Sequence, residues 1–136
     1  GVSDMCDLAG NSCVPCLGDA LEPNDEINSA LPVGSVQPGT ELNTCLGGDF
    51  FSINAQPGQT ITVAVNFSHM LGDVDIKLWG PEGMGADGMA SAVATSTGTM
   101  DIERIDHEVE AAGKYVIEVY GFRAVYNTYT LDAQIQ

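Results

Sequence analysis

The chain predicts an all-β fold, a sandwich or barrel of about eight short strands. Three observations point there. Apolar and polar side chains alternate with period 2 in run after run, the pattern of a half-buried strand. Many of the 16 glycines and 6 prolines fall between those runs, where turns are expected. Helical periodicity is scarce. At 136 residues and 44% hydrophobic content, the chain is long enough for one domain with a core, plus a short appendage.

The elements follow in order. Residues 1–18 show no periodicity and carry Cys6, Cys13 and Cys16, so they read as a covalently pinned loop or linker ahead of a domain at 19–136. In residues 19–33, Pro23 can open a short helical turn, with Ile27, Ala30 and Leu31 at helical spacing and Pro32 ending it. Residues 34–46 hold one short strand after a turn at Pro38-Gly39. Residues 49–67 are the most regular stretch. Phe51, Ile53 and Ala55 alternate with Phe50, Ser52 and Asn54, and Ile61, Val63, Val65 and Phe67 alternate with Thr60, Thr62, Ala64 and Asn66. Pro57-Gly58 between them has turn chemistry, so a hairpin is expected.

Residues 72–80 form the next strand, with Val74, Ile76 and Leu78 on one face and Asp73, Asp75, Lys77 and Trp79 on the other. Residues 80–90 are a glycine-rich loop. Further strands are expected at 90–96, 101–109, 114–121 and 127–135. In the last of these Tyr129, Leu131, Ala133 and Ile135 point inward.

The formal net charge is −15, with Lys77, Arg104, Lys114 and Arg123 as the basic residues. Such a surface repels nucleic-acid phosphates and anionic membranes and favours cations. No apolar run is long enough to span a membrane. The abrupt start at Gly1 reads as a chain whose signal has been removed. The four cysteines, Cys6, Cys13, Cys16 and Cys45, are even in number and suit two disulfides from an oxidising compartment, with three pairings open. The competing reading is a zinc site, because Cys13-x-x-Cys16 has ligand spacing; it lacks a second close pair or a nearby histidine.

Catalytic motifs are missing. Gly83 to Gly88 spells GxGxxG, and Glu103 lies near the spacing of a ribose-binding acid, but no helix pattern follows and a dinucleotide site needs a βαβ unit. Ser68 and His69 are sequence neighbours only, and a triad is assembled by tertiary geometry. His107 shares strand parity with Ile105 and Val109, which suits a half-buried strand histidine better than a base. Asp73 and Asp75 share a strand face and can chelate a cation, lean on Lys77, or simply face solvent. Tyr120, Phe122, Arg123 and Tyr126 gather around the turn GFRAVYN. They are candidate ligand-binding residues of hot-spot type, with capping of the sandwich end as the simpler role for Phe122 and Tyr126. Asn66-Phe67-Ser68 is a formal glycosylation sequon.

A series of short strings in order resembles the bacterial pre-peptidase C-terminal domain family. They are Glu22-Pro23-Asn24-Asp25, Gly48-Asp49-Phe50-Phe51-Ser52-Ile53, Pro57-Gly58-Gln59-Thr60-Ile61, Asp73-Val74-Asp75-Ile76-Lys77-Leu78 and Glu103-Arg104-Ile105. Ala112-Gly113-Lys114-Tyr115-Val116-Ile117-Glu118-Val119-Tyr120-Gly121 and Tyr129-Thr130-Leu131 complete them. Phe50-Phe51 stands where the family often has Trp-Tyr.

The resemblance implies a jelly-roll-like antiparallel β-sandwich, secreted or on the cell surface and without catalytic activity; the short disulfide-pinned N-terminal segment read from the cysteines precedes it, and a monomer is expected. Its expected role is that of an accessory domain of an exported protein, for substrate or surface binding or for stabilising a secreted enzyme. Its expected partners are an extracellular protein, a polysaccharide or a covalently linked peptidase domain. Related collagen-binding domains of clostridial collagenases bind calcium near their N-terminal segment, and the carry-over here is Glu22, Asn24, Asp25 and Asp49. The resemblance also implies a Cys16–Cys45 bridge, leaving Cys6–Cys13. Two other readings stand beside it: a small stand-alone secreted hydrolase built around His107 and the acids, and a ligand-free spacer or adhesin domain.

Overall fold

The computed structural model describes residues 30–37, 39–44, 48–81, 92–122 and 127–136, and the backbone of 3–7 and 12–16. Strands are numbered along the chain: β1 (Ser3–Asp7), β2 (Ser12–Cys16), β3 (Leu31–Pro32), β4 (Leu42–Asn43), β5 (Asp49–Ala55), β6 (Thr60–Phe67), β7 (Val74–Trp79), β8 (Ala94–Ser96), β9 (Ile102–Glu108), β10 (Gly113–Gly121) and β11 (Thr128–Ile135). Among the described residues two 3-10 turns, Val33–Ser35 and His69–Leu71, punctuate them.

Nine of these strands form a sandwich. One sheet has the order β3-β5-β10-β7-β8 and the other β4-β11-β6-β9. From β4 to β11 the partners are nested: β4 with β11, β5 with β10, β6 with β9 and β7 with β8. That nesting is an antiparallel ribbon rolled into two sheets, the jelly roll. The eight strands expected from the sequence are β4 to β11. β3 is an addition, paired parallel to β5 at Leu31 and Phe51.

The expected inward sets fill the core. Phe51, Ile53 and Ala55 face Ile61, Val63, Val65 and Phe67 across the sandwich, with Val74, Ile76, Leu78, Tyr115, Ile117, Val119, Tyr129 and Leu131. Ala133 and Ile135 are partly buried against it.

The main correction concerns the expected hairpin. β5 and β6 are not a hairpin: β5 pairs with β3 and β10, and β6 pairs with β11 and β9. Their turn explains why. Gln59 N donates to Gln56 O at 3.1 Å, and Gly58, third of the four turn residues after Pro57, has φ 89°. This is the type II arrangement, whose twist splays flanking strands, whereas hairpins favour the mirror-image turns. The two apolar faces therefore meet across the core instead of lying side by side in one sheet.

The other corrections are local. Residues 3–7 and 12–16, expected to be part of a pinned loop, are strands: β1 and β2 pair antiparallel, with Cys6 opposite Cys13 and Cys16 opposite Ser3. Leu31 and Pro32 are extended, not helical, because the edge of β5 offers them a partner. The strand expected in 34–46 shortens to Leu42–Asn43, and that expected at 90–96 to Ala94–Ser96. The helical turn at Pro23, the glycine-rich loop from residue 82 onward and Cys45 lie outside the described residues, as do the side chains of Cys6, Cys13 and Cys16.

Candidate functional site

One end of the sandwich gathers the chain's unusual side chains. It is built from the turn 68–72 between β6 and β7, the connection 97–101 between β8 and β9, and the end of β10. These segments are tied together. His69 N donates to Asp101 Oδ1 at 2.8 Å, and Phe67 N donates to Asp101 O at 3.0 Å. Phe122 N donates to Asp73 O at 2.8 Å. From the start of β11, the buried Asn127 sends its amide to the carbonyls of Ser68 and Gly72, both at 2.8 Å. Its own backbone N donates to Thr44 Oγ1 at 2.9 Å. The turn is thus clamped onto the sandwich by a satisfied buried amide.

The outer surface of this end is apolar. Among the described residues six large apolar side chains are exposed, and five of them lie here: Met70 at 95%, Leu71, Met100, Ile102 and Phe122. A shallow cavity of about 140 Å³ beside them is lined by Ser68, Leu71, Asn127 and Thr128, among others. Scattered exposed apolar residues are ordinary, but a group at one end of a small domain marks an interaction surface.

Beneath that surface are three carboxyls. Asp73 precedes β7, Asp75 lies on β7, and Glu103 lies on β9 of the opposite sheet. One oxygen from each lies within 4.8 Å of the other two. Asp75 and Glu103 are each 2% exposed. Glu103 Oε2 accepts from the Ser96 hydroxyl and from Gly98 N at 3.0 Å. Asp73 Oδ1 is 3.3 Å from His69 Nδ1. Among the described residues no donor meets Asp75 Oδ1 or Glu103 Oε1. Burial, and then the charges of Asp73 and Glu103, push the Asp75 carboxyl up to about 6 from an ordinary 3.8. Its register partner Tyr120 is pushed up to about 12, by burial first and then by Asp75.

The outer face of β7 and β10 carries Lys77, Trp79, Glu118 and Tyr120. Trp79 is buried, and its Nε1 donates to Glu118 Oε1 at 3.0 Å. Lys77 Nζ lies 5.9 Å from the Trp79 ring centroid and 5.2 Å from that of Tyr120. These rings are engaged by a cation within the domain. A larger groove of about 420 Å³ runs along β11, lined by Val33, Val36, Thr130, Asp132 and Gln134, far from the acidic cluster in sequence and facing different chemistry.

The expected site residues fall as follows. Tyr120 is half-buried on the outer face and Phe122 is exposed at the apolar end; Arg123 and Tyr126 lie outside the described residues. So do Glu22, Asn24 and Asp25. Asp49 is fully buried, and Tyr129 Oη donates to its Oδ2 at 2.6 Å, joining β11 to β5 across the core. His107 packs its ring on Tyr115, centroids 5.9 Å apart. Glu103, four residues back on the same strand face, is roughly 13 Å away by strand rise. The two do not meet as a catalytic pair.

Sequence reasoning missed Glu103, Met70, Leu71 and Met100. Each left a signal. Glu103 has the same inward parity as Ile105 and Val109, which makes it a buried acid. Met70-Leu71 places two bulky apolar residues in a turn, where polar residues are usual.

The fold has solved counterparts. The chain is similar to the pre-peptidase C-terminal domain of a collagenase from Bacillus anthracis, with TM-score 0.54 and 18% identity over 70% of this chain and 88% of that one. It is also similar to PliG of Aeromonas hydrophila, a periplasmic inhibitor of g-type lysozyme, with TM-score 0.58 and 25% identity over 79% of this chain and 96% of that one. No protein-family model and no curated protein matches the chain. The fold is that of the pre-peptidase C-terminal domain. Among the described residues no helix is long and apolar enough to cross a membrane.

Proposed function

We propose that this domain is a non-catalytic binding module of an exported bacterial protein, and that it docks an extracellular protein through the apolar end of its sandwich. The observation that carries the reading is the grouping of Met70, Leu71, Met100, Ile102 and Phe122 on three segments tied together by hydrogen bonds. Methionine-rich apolar surfaces adapt to a partner, and aromatic and methionine side chains are enriched at interfaces. The net charge of −15 adds a long-range preference for a basic partner. Of the solved counterparts named above, one is a domain of a collagenase and the other a periplasmic inhibitor of g-type lysozyme, and the periplasmic one supports a role outside the cytoplasm. The burial of Trp79 argues against stacking of a polysaccharide on that ring.

Surface plasmon resonance against a g-type lysozyme and against collagen tests the proposal, with the double variant Met70→Ser/Leu71→Ser and the single variant Phe122→Ala as probes. Binding that weakens at least tenfold in these variants, with their melting temperatures unchanged, is the expected result. An association rate that falls with salt is expected for a basic partner. Turnover of casein, chromogenic esters or oligosaccharides that disappears in His107→Ala would overturn the non-catalytic reading. A collagenous or lysozyme partner held equally well by all the variants would overturn the assignment of the apolar end.

A further inference from the structure

We infer that Asp73, Asp75 and Glu103 form a binding site for one divalent cation of the calcium class, which joins the two sheets at the end of the sandwich. Its residues are other than Glu22, Asn24, Asp25 and Asp49, the calcium ligands that the family resemblance implies.

The geometry comes first. Oxygens bound to calcium lie 2.3–2.6 Å from the ion, so two ligands on one ion are separated by at most about 4.8–5 Å. The three carboxyl oxygens fall within 4.8 Å of one another. A magnesium ion, with ligands at about 2.0–2.1 Å, demands a stricter octahedron and keeps several waters, which a buried cluster supplies less readily. The donor set is all oxygen, which suits a hard cation over zinc or copper. With three carboxylates and water completing the shell, the set meets the charge and ligand type that calcium takes.

The second observation is independent of the cluster's charge. Asp75 and Glu103 are each 98% removed from solvent, yet Asp75 Oδ1 and Glu103 Oε1 meet no hydrogen-bond donor among the described residues. Buried carboxyl oxygens are nearly always satisfied, because desolvating one without a partner costs several kcal/mol. Both oxygens belong to the same cluster, so one ion completes both. The remaining Glu103 oxygen is already held by Ser96 and Gly98, which fixes the side chain for ligation, as outer contacts do in metal sites. The two basic residues next to the cluster in sequence are engaged elsewhere, Lys77 over Trp79 and Tyr120 and Arg104 with Asp106.

The consequence is structural. Asp73 and Asp75 belong to the β7 side of the five-stranded sheet, and Glu103 to β9 of the four-stranded sheet. β7 and β9 border the turn 68–72 and the connection 97–101, so an ion here stiffens the segments that carry Met70, Leu71 and Met100.

Calorimetry and thermal melts of the whole chain, with calcium chloride and with chelator, test the inference. Expected are one strong site and a melting temperature raised on the order of 5–10 °C at a hundredfold excess over Kd. The shift should vanish in Asp75→Asn and in Asp73→Asn and persist in Asp25→Asn. Terbium should report the same site by luminescence sensitised through Tyr120 and Trp79, lost in Asp75→Asn. The readout is the calcium-dependent shift, so a variant that melts differently without metal still decides the question. A calcium shift kept in both Asp75→Asn and Asp73→Asn, or lost in Asp25→Asn alone, overturns the site. So does an unchanged wild-type melt at millimolar calcium, which would leave a carboxyl pair sharing a proton as the account of the cluster.

Discussion

Removing one hydroxyl, by Tyr129→Phe, tests how the two sheets are held together. Tyr129 is 1% exposed and Asp49 is fully buried, and the phenol donates to Asp49 Oδ2 at 2.6 Å, a short bond of the charge-assisted kind. The change keeps the ring and its packing, so the cavity term is small. What is lost is the bond, about 0.5–1.5 kcal/mol between neutral partners and about 1.5–3 kcal/mol to a charged one, with a further desolvation cost for a buried oxygen left short of a donor. We expect a loss of about 2–3 kcal/mol at neutral pH. At roughly 3–5 °C per kcal/mol for a domain of this size, that is a fall in melting temperature of about 6–15 °C. Urea unfolding of the single variants, of Asp49→Asn and of the double variant gives the coupling directly. A coupling of at least about 1 kcal/mol is expected. A value indistinguishable from zero would mean that Asp49 is held by other groups and that the cross-sheet bond contributes nothing. The same variants run with calcium separate this role from ligation: if Asp49 binds the ion, Asp49→Asn abolishes a calcium shift that Tyr129→Phe leaves in place.

Three further outcomes are expected. Leu131→Ala, at a core position 6% exposed, should cost about 2–5 kcal/mol in urea unfolding, and a loss near zero would invert the assigned parity of β11. In chelator, Asp75 should make stability fall as pH rises. Its carboxyl titrates at about 6 when folded and near 3.8 when unfolded, so its favourable contribution is complete below about pH 4 and is lost through pH 6. That gap corresponds to at most about 3 kcal/mol, and Asp75→Asn should flatten this part of the profile; an unchanged slope would refute the assignment. Peptide mapping should find Cys6 bonded to Cys13, which the β1–β2 register sets opposite each other at a spacing a disulfide can bridge, and recovery of Cys13 with Cys45 would refute it.

The fold was legible because parity is local. Whether Phe51 or Ser52 faces the core follows from alternation alone, and the longer strands β5, β6, β7, β9, β10 and β11 carry it. Pairing is not local. The same alternating faces serve a hairpin or two opposed sheets, and only the turn distinguishes them. Pro57-Gly58 favours type II over the mirror-image turns of a two-residue hairpin, so even this choice left a trace in the chain. β3 had no such trace: two residues, one of them proline, cannot show a period. β1 and β2 were hidden by cysteines and a proline in place of alternating aliphatic residues.

The candidate site was harder to read because it is assembled from segments far apart in the chain. Asp73 and Asp75 were legible as a pair, but on a solvent-facing strand face two acids more often need no explanation. Glu103 changes their meaning, and its approach depends on the chain crossing from β8 in one sheet to β9 in the other. The sequence does hold one premise of that approach. An acid at an inward position of β9 must find either a donor or a cation, since leaving it alone in the core is too costly. Ser96 and Gly98 satisfy one of its oxygens. The other points to Asp73 and Asp75, where more negative charge can be tolerated only with a proton or a metal ion, and only the ion is an oxygen-rich ligand sphere's natural centre at neutral pH. The apolar end above it then gains a reason to be rigid: a binding surface made of turns loses least entropy on docking when the turns are already fixed from beneath.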